Sequence, residues 1–189
     1  VGHGQTRLSQ AAYDTTDPAE AVLTGIAELL AIARVPCEDV EFLVLGTTLA
    51  TNAVLERKCA RTGMITTAGF GDVLELARQR RPHYFNLDVM KPAPPAPRDC
   101  RLEVKERIAF DGSVVTPLAE EDVRSALEVL RGKKVEALAV CMMQSYANPE
   151  HEQRTKALVK QLWPEVYLCT SSDVLPEFRE YERFATTAV

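Results

Sequence analysis

At 189 residues the chain suits one domain, or one with a small appendage, and 46% hydrophobic content is enough for a real core. A net charge of −5 argues against a general nucleic-acid binder, because no basic surplus exists to neutralise phosphates. No apolar run approaches the roughly 18 residues of a membrane helix and no signal peptide opens the chain, so a cytoplasmic protein away from membranes is expected.

Val1 to Asp14 carries little pattern beyond a possible short strand around Thr6 to Ala12. Asp17-Pro18-Ala19-Glu20 is a strong helix start, with Asp17 as N-cap and Pro18 in the first turn. Val22, Leu23, Ile26, Leu29 and Leu30 recur at helical spacing and predict a face laid on a core, ending before Pro36. Phe42 to Leu45 reads as a short buried strand. Gly46, Thr47 and Thr48 follow, then a segment bearing Thr51 and Asn52 that reads as helix. Strand, glycine, paired hydroxyls and helix start make a plausible ligand-facing turn. The plainer reading is that glycine and threonine serve only backbone geometry and capping. Neither a Gly-Lys-Ser/Thr phosphate loop nor a Gly-x-Gly-x-x-Gly turn is present there.

Thr62 to Thr66 is a second β-like run, and Asp72 is placed to cap a helix over Val73 to Gln79. Arg78, Arg80 and Arg81 crowd its end, either complementing the helix dipole or forming a cationic rim for an anionic ligand. Lys91 to Pro97 is proline-rich and reads as a semi-rigid connector. Leu102 to Ala109 alternates, and with Asp111-Gly112 and Val114-Val115 it signals a hairpin. A helix opens at Thr116-Pro117 with Val123, Leu127 and Leu130 as its core face and Gly132 at its end. Val135 to Met143 then suits a parallel strand buried on both faces. Asn148 and Pro149 start a helix towards Leu162, and Val166 to Thr170 completes a right-handed βαβ unit. Three parts are therefore expected: an α/β segment over 1–90, a connector over 91–101, and a hairpin plus βαβ segment over 102–189.

The five cysteines are widely spaced with no Cys-x-x-Cys pair, and the three histidines lack helical ligand spacing, so no metal site is expected. Cys141 and Cys169 read as small core residues. After Pro176 the chain is charged and helix-prone. Tyr181, Glu182 and Arg183 there read, on spacing alone, as an exposed face with local ion pairs.

Four strings together are more specific than any one. They are Gly46-Thr-Thr-Leu-Ala-Thr-Asn-Ala-Val-Leu-Glu-Arg-Lys58, Thr66 through Gly69-Phe-Gly-Asp-Val-Leu-Glu to Pro82, Ser145-Tyr-Ala-Asn-Pro149, and Asp173-Val-Leu-Pro with Glu180-Tyr-Glu-Arg183. In this order they resemble the N-terminal region of the hydantoinase A/5-oxoprolinase family, over Asp17 to Val189. The resemblance implies an α/β fold of mixed sheets and helices, part of an actin-like (ribonuclease H-like) ATPase lobe with its first glycine-turn hairpin absent. It implies ATP and Mg2+ as cofactors of a longer subunit, and a hydantoinase B-type subunit or fused B domain as partner. The implied reaction activates and hydrolyses a cyclic amide such as a hydantoin, a lactam or 5-oxoproline, with this piece inactive alone. A ketone carboxylase subunit and a non-catalytic assembly module are the alternatives. Gly46, Thr47, Thr48, Thr51, Asn52, Arg78, Tyr181, Glu182 and Arg183 are the expected cleft residues; no general base or nucleophile is assigned. Three departures stand out: the family's Asp-Ile-Gly-Gly-Thr turn is missing, and Leu45 and Gln144 replace histidines common in the family.

Overall fold

The computed structural model describes residues 18–42, 49–79, 85–86, 88–89 and 91–189. The expected strand near Thr6 lies outside them, as do Leu43 to Leu45, Gly46, Thr47, Thr48, Arg80 and Arg81. The chain divides into two compact units, Val1–Thr48 and Leu49–Val189.

In the first unit, α1 spans Pro18–Ala33, as the Asp-Pro start predicts. Its core face is thinner than expected: Val22, Ile26 and Leu30 are half-buried, while Leu23 and Leu29 are exposed. A single 3-10 turn, Cys37–Asp39, follows.

The second unit opens with α2 (Leu49–Leu55) and is built on a four-stranded sheet of β1 (Thr62–Thr67), β2 (Arg101–Val104), β5 (Ala137–Cys141) and β6 (Tyr167–Thr170). The order is β2-β1-β5-β6 and every pairing is parallel. Parallel strands need cover on both faces, and the side chains divide accordingly. Ile65, Leu138 and Val140 enter one core with α4 (Glu120–Gly132) and α5 (Glu150–Leu162). Met64, Ala139 and Cys141 enter the other, with α3 (Val73–Leu76) and α7 (Glu180–Ala188). On α4, Val123, Leu127 and Leu130 are the buried face that their spacing predicts. Each contributes on the order of 1.5–3 kcal/mol by leaving water. Where α4 and the strands meet, Gly63 is fixed by space, since a Cβ there would sit 2.9 Å from Leu130 Cδ2.

Local departures have visible causes. α3 is one turn, not a helix to Gln79, and Asp72 makes no side-chain cap because its carboxylate pairs with Arg98. α4 begins at Glu120, not Pro117, because Ala119 N–H donates to Lys105 O at 2.9 Å and holds the approach extended. The alternating run splits: β2 joins the main sheet, while β3 (Arg107–Ile108) pairs with β4 (Val114–Thr116) as a small hairpin. Gly112 turns it at φ +82°, a conformation that favours glycine. The proline-rich run docks through fully buried Ala96, whose carbonyl accepts Arg101 Nε at 2.9 Å. β1 from before that run and β2 from after it are sheet neighbours, and the boundary between compact units falls after Thr48. Asn148 Oδ1 accepts Glu150 N–H at 2.9 Å at the start of α5, as expected. A short α6 (Ser171–Val174) separates β6 from α7.

Candidate functional site

Because all four strands are parallel, Thr67, Val104, Cys141 and Thr170 end at one edge of the sheet. Ligands of open α/β sheets bind outside the carboxyl ends of strands. At this edge two buried carboxylates organise the turns. Glu152 accepts Met142 N–H at 2.8 Å, Ser171 O–H at 2.6 Å and Ser172 N–H at 2.7 Å. Glu106 accepts Thr67 O–H, and His151 Nδ1–H at 2.7 Å. Thr67 Oγ1 in turn accepts Met143 N–H at 2.9 Å. The two glutamates thus pin the turn after β5 to the ends of β1 and β6. Glu103, exposed on β2, accepts Gly69 and Gly71 N–H groups, both at 2.9 Å, and shapes the loop after β1.

Arg183 on α7 is fully buried in this knot. Its Nε donates to Ser171 Oγ at 3.2 Å, one Nη to Met142 O at 3.2 Å, and the other to Glu177 O. Since Ser171 spends its hydrogen on Glu152, Ser145 O–H is the donor across their 3.0 Å contact. Burial pulls the guanidinium below the usual arginine value, opposed chiefly by Glu152. The exposed-face reading of this residue is therefore corrected: long-range partners, not local ion pairs, hold it.

Glu182, beside it, meets Arg78 Nε at 2.7 Å across the fold. That hydrogen bond holds the Glu182 carboxyl below the usual carboxylate range. Tyr181 is half-buried against the α3 and α7 core. The structure thus brings Arg78, Tyr181, Glu182 and Arg183 to the α3 exit and α7, and of these Tyr181 lines an open hollow of about 220 Å3 with Leu76, Gln79, Met143 and Glu180. Thr51 and Asn52 are exposed on α2, and among the described residues no hydrogen bond or ion pair joins their side chains to that neighbourhood. Further along, Val54 and Arg57 line a separate cavity of about 300 Å3 with Thr62, at the amino end of β1. Gly46, Thr47 and Thr48 lie outside the described residues.

Sequence reasoning assigned no role to Glu106, His151 and Glu152. The available signal was position: His151 and Glu152 stand just after Ser145 to Pro149, the turn leaving the central strand. Gln144 in that turn has φ +59° and a buried Oε1 with no partner. Cys141 is an unsuitable nucleophile, since burial pushes its thiol well above the ordinary value.

Compared with known proteins, residues 3–163 match the hydantoinase/oxoprolinase N-terminal region. The chain is 34% identical to caprolactamase subunit alpha of Pseudomonas jessenii, over 98% of this chain and 28% of that one. It is 34% identical to the acetophenone carboxylase gamma subunit of Aromatoleum aromaticum, over 79% of this chain and 22% of that one. The crystal structure of ATP-dependent caprolactamase from Pseudomonas jessenii superposes with a TM-score of 0.86 and 32% identity, covering 98% of this chain and 28% of that chain. The α/β lobe expected from the sequence is the fold found, consistent with an actin-like ATPase lobe. The chain spans about a quarter of the length of these relatives.

Proposed function

This chain belongs to the hydantoinase/oxoprolinase family, and we propose that it forms the N-terminal region of an ATP-dependent subunit that opens a cyclic amide. The observation that supports this most is its likeness in sequence and fold to caprolactamase along 98% of the chain. The relatives named as subunits support a multi-subunit assembly, with a B-type subunit or fused domain as the partner. Gly46, Thr47, Thr48, Thr51, Asn52, Arg78, Tyr181, Glu182 and Arg183 are the residues proposed to serve a substrate or nucleotide cleft in the longer subunit.

ATP, when bound, would supply the driving force for opening an amide that water opens slowly. Among the described residues no three His, Cys, Asp or Glu side chains converge as metal donors, and none forms a glycine-rich phosphate turn. These residues do not fit Mg2+ or the phosphates, and no chemical step is assigned to either here. Phosphoryl transfer needs phosphates, metal and acceptor positioned together. The chain by itself is accordingly expected to be silent. What it supplies is a rigid edge: the Glu152–Ser171–Arg183 knot fixes α7, and Arg78–Glu182 ties α7 to the exit of α3.

A second reading, an ATP-dependent ketone carboxylase subunit, is favoured by the acetophenone carboxylase relative. ATP turnover by the full-length subunit with its B-type partner separates the readings. Stimulation by lactams or hydantoins, with none from the chain alone, supports the hydrolase. Stimulation only by ketone with bicarbonate supports the carboxylase. No turnover with any substrate, from a properly paired protein, favours an assembly module, to which the Leu45 and Gln144 departures also lean.

A further inference from the structure

The two faces of the main sheet are covered to different extents. On the α4–α5 face, cover reaches the amino edge: Gly63 lies under Leu130 and Val135, and its strand partner Leu138 is 2% exposed. On the other face α7 runs from the carboxyl edge, where Tyr181 meets Phe70 and Met143, to Ala188 beside Thr62. Its core partners on the strands are Met64, Ala139 and Cys141. One row nearer the amino edge, on the same face, stand Thr62, Ala137 and Tyr167, paired across β1, β5 and β6. There Ala137 is half-buried and Tyr167 is 72% exposed. Parallel sheets carry cover on both faces, so this row is an incomplete layer.

A groove lies over the bare row. One end, of about 300 Å3, is lined by Val54, Arg57 and Cys59 together with the proline run. The other, of about 280 Å3, is lined by Ala137, Tyr167, Cys169 and Val174. Ala60, Thr62 and Ala188 belong to both ends. Among the described residues Arg57 is the one charged side chain in this lining, and no carboxylate pairs with it. Its neighbour Lys58 is already taken by Glu56 at 2.7 Å. The groove therefore fits an apolar segment that brings a single carboxylate to Arg57. Such a segment has a source in the same polypeptide. This chain matches an N-terminal region, and it spans 28% of caprolactamase subunit alpha, so most of that relative lies outside the match.

We propose that this groove is the surface on which the following part of the longer subunit docks, through an apolar segment with an Asp or Glu opposite Arg57. The inference rests on the N-terminal placement proposed above, and not on the reaction. Cys59, exposed at one end of the groove, and Cys169, half-buried at the other, report on its cover. The test is timed N-ethylmaleimide modification of both thiols, mapped by peptide mass spectrometry. It compares the 189-residue chain with the full-length subunit, without and with its B-type partner. Both thiols should react about tenfold or more slowly in the full-length subunit alone, where cover must open before reagent enters. Tyr167→Glu should leave the urea midpoint of the chain near that of the wild type. In the full-length subunit it should restore chain-like reaction of Cys169, and Arg57→Glu should do the same for Cys59. The proposal is overturned if the thiols react equally fast in chain and full-length subunit, or if protection survives both substitutions. It is also overturned if protection waits for the B-type partner, or arises in the chain alone and grows with concentration, as between two copies. Modification reads cover whether or not ATP is turned over. Protection without turnover keeps the interface and removes the proposed reaction. Turnover with unprotected thiols removes the interface and keeps the reaction.

Discussion

Arg183 shows how one side chain can change meaning between sequence and fold. In Glu180-Tyr-Glu-Arg183 it reads as part of a solvated face, because neighbours three and four residues away offer ion pairs. Its actual partners, Ser171 and the Met142 carbonyl, are 12 and 41 residues away, a distance no local pattern encodes. Removing a buried charge whose environment was built around it costs more than removing an exposed one. Arg183→Met should therefore destabilise the chain by about 3–5 kcal/mol, leaving Glu152 and two carbonyl groups without their cation. Urea unfolding measures this, and a loss below about 1 kcal/mol would mean that water or relaxation replaces the knot. Glu182 behaves differently because it is exposed. Its folded pKa is depressed by Arg78, so its stabilisation is present above the unfolded carboxylate value and is lost as pH falls through the lower folded value. The unfolding midpoints of the wild type and Glu182→Gln should differ at neutral pH and converge as the solution is acidified below the carboxylate range. A constant gap across that range would show that the ion pair contributes nothing through charge.

At the scale of elements, legibility followed burial. β5 was readable because a strand covered on both faces is nearly all apolar, and β1 because Met64 and Ile65 stand together in a short β-prone run. α4 was readable from Val123, Leu127 and Leu130. The missing cap at Asp72 and the start of α4 were not, because Asp72 and the 117–119 approach answer to Arg98 and Lys105, partners far along the chain. The same holds for the candidate site: Arg78 and Glu182 could be named from motifs, but not their pairing across the fold. Gly63 is a further case, a glycine in a strand that carries no turn signal. Its reason is the approach of α4 and of Val135, whose Cγ1 would lie 3.1 Å from an added Cβ. Gly63→Ala is an overpacking change and should cost about 1–3 kcal/mol. Thermal unfolding reads it directly. Leu130→Ala, combined with it, should recover part of the loss from Gly63→Ala by vacating the nearest contact, so the two changes will be less than additive.

For the molecule as a whole, the decisive fact is that both cores lie inside one compact unit. Ile65, Leu130 and Val140 on one side of the sheet, and Met64, Cys141 and Phe184 on the other, all fall between Leu49 and Val189. The polar knot at the carboxyl edge of the sheet is drawn from the same stretch, as is the α3–α7 cavity. A protein consisting of residues 49–189 should therefore fold on its own, with a single cooperative urea transition. Its midpoint should stay close to that of the intact chain, while the slope, which scales with surface exposed on unfolding, should be smaller because fewer residues unfold. The NMR positions of Thr67, Met143 and Arg183 should be unchanged. If residues 49–189 instead lack a cooperative transition, the sheet depends on the preceding unit. The Gly46 to Asn52 string would then have to be treated as part of the scaffold before any role in binding is tested by mutation.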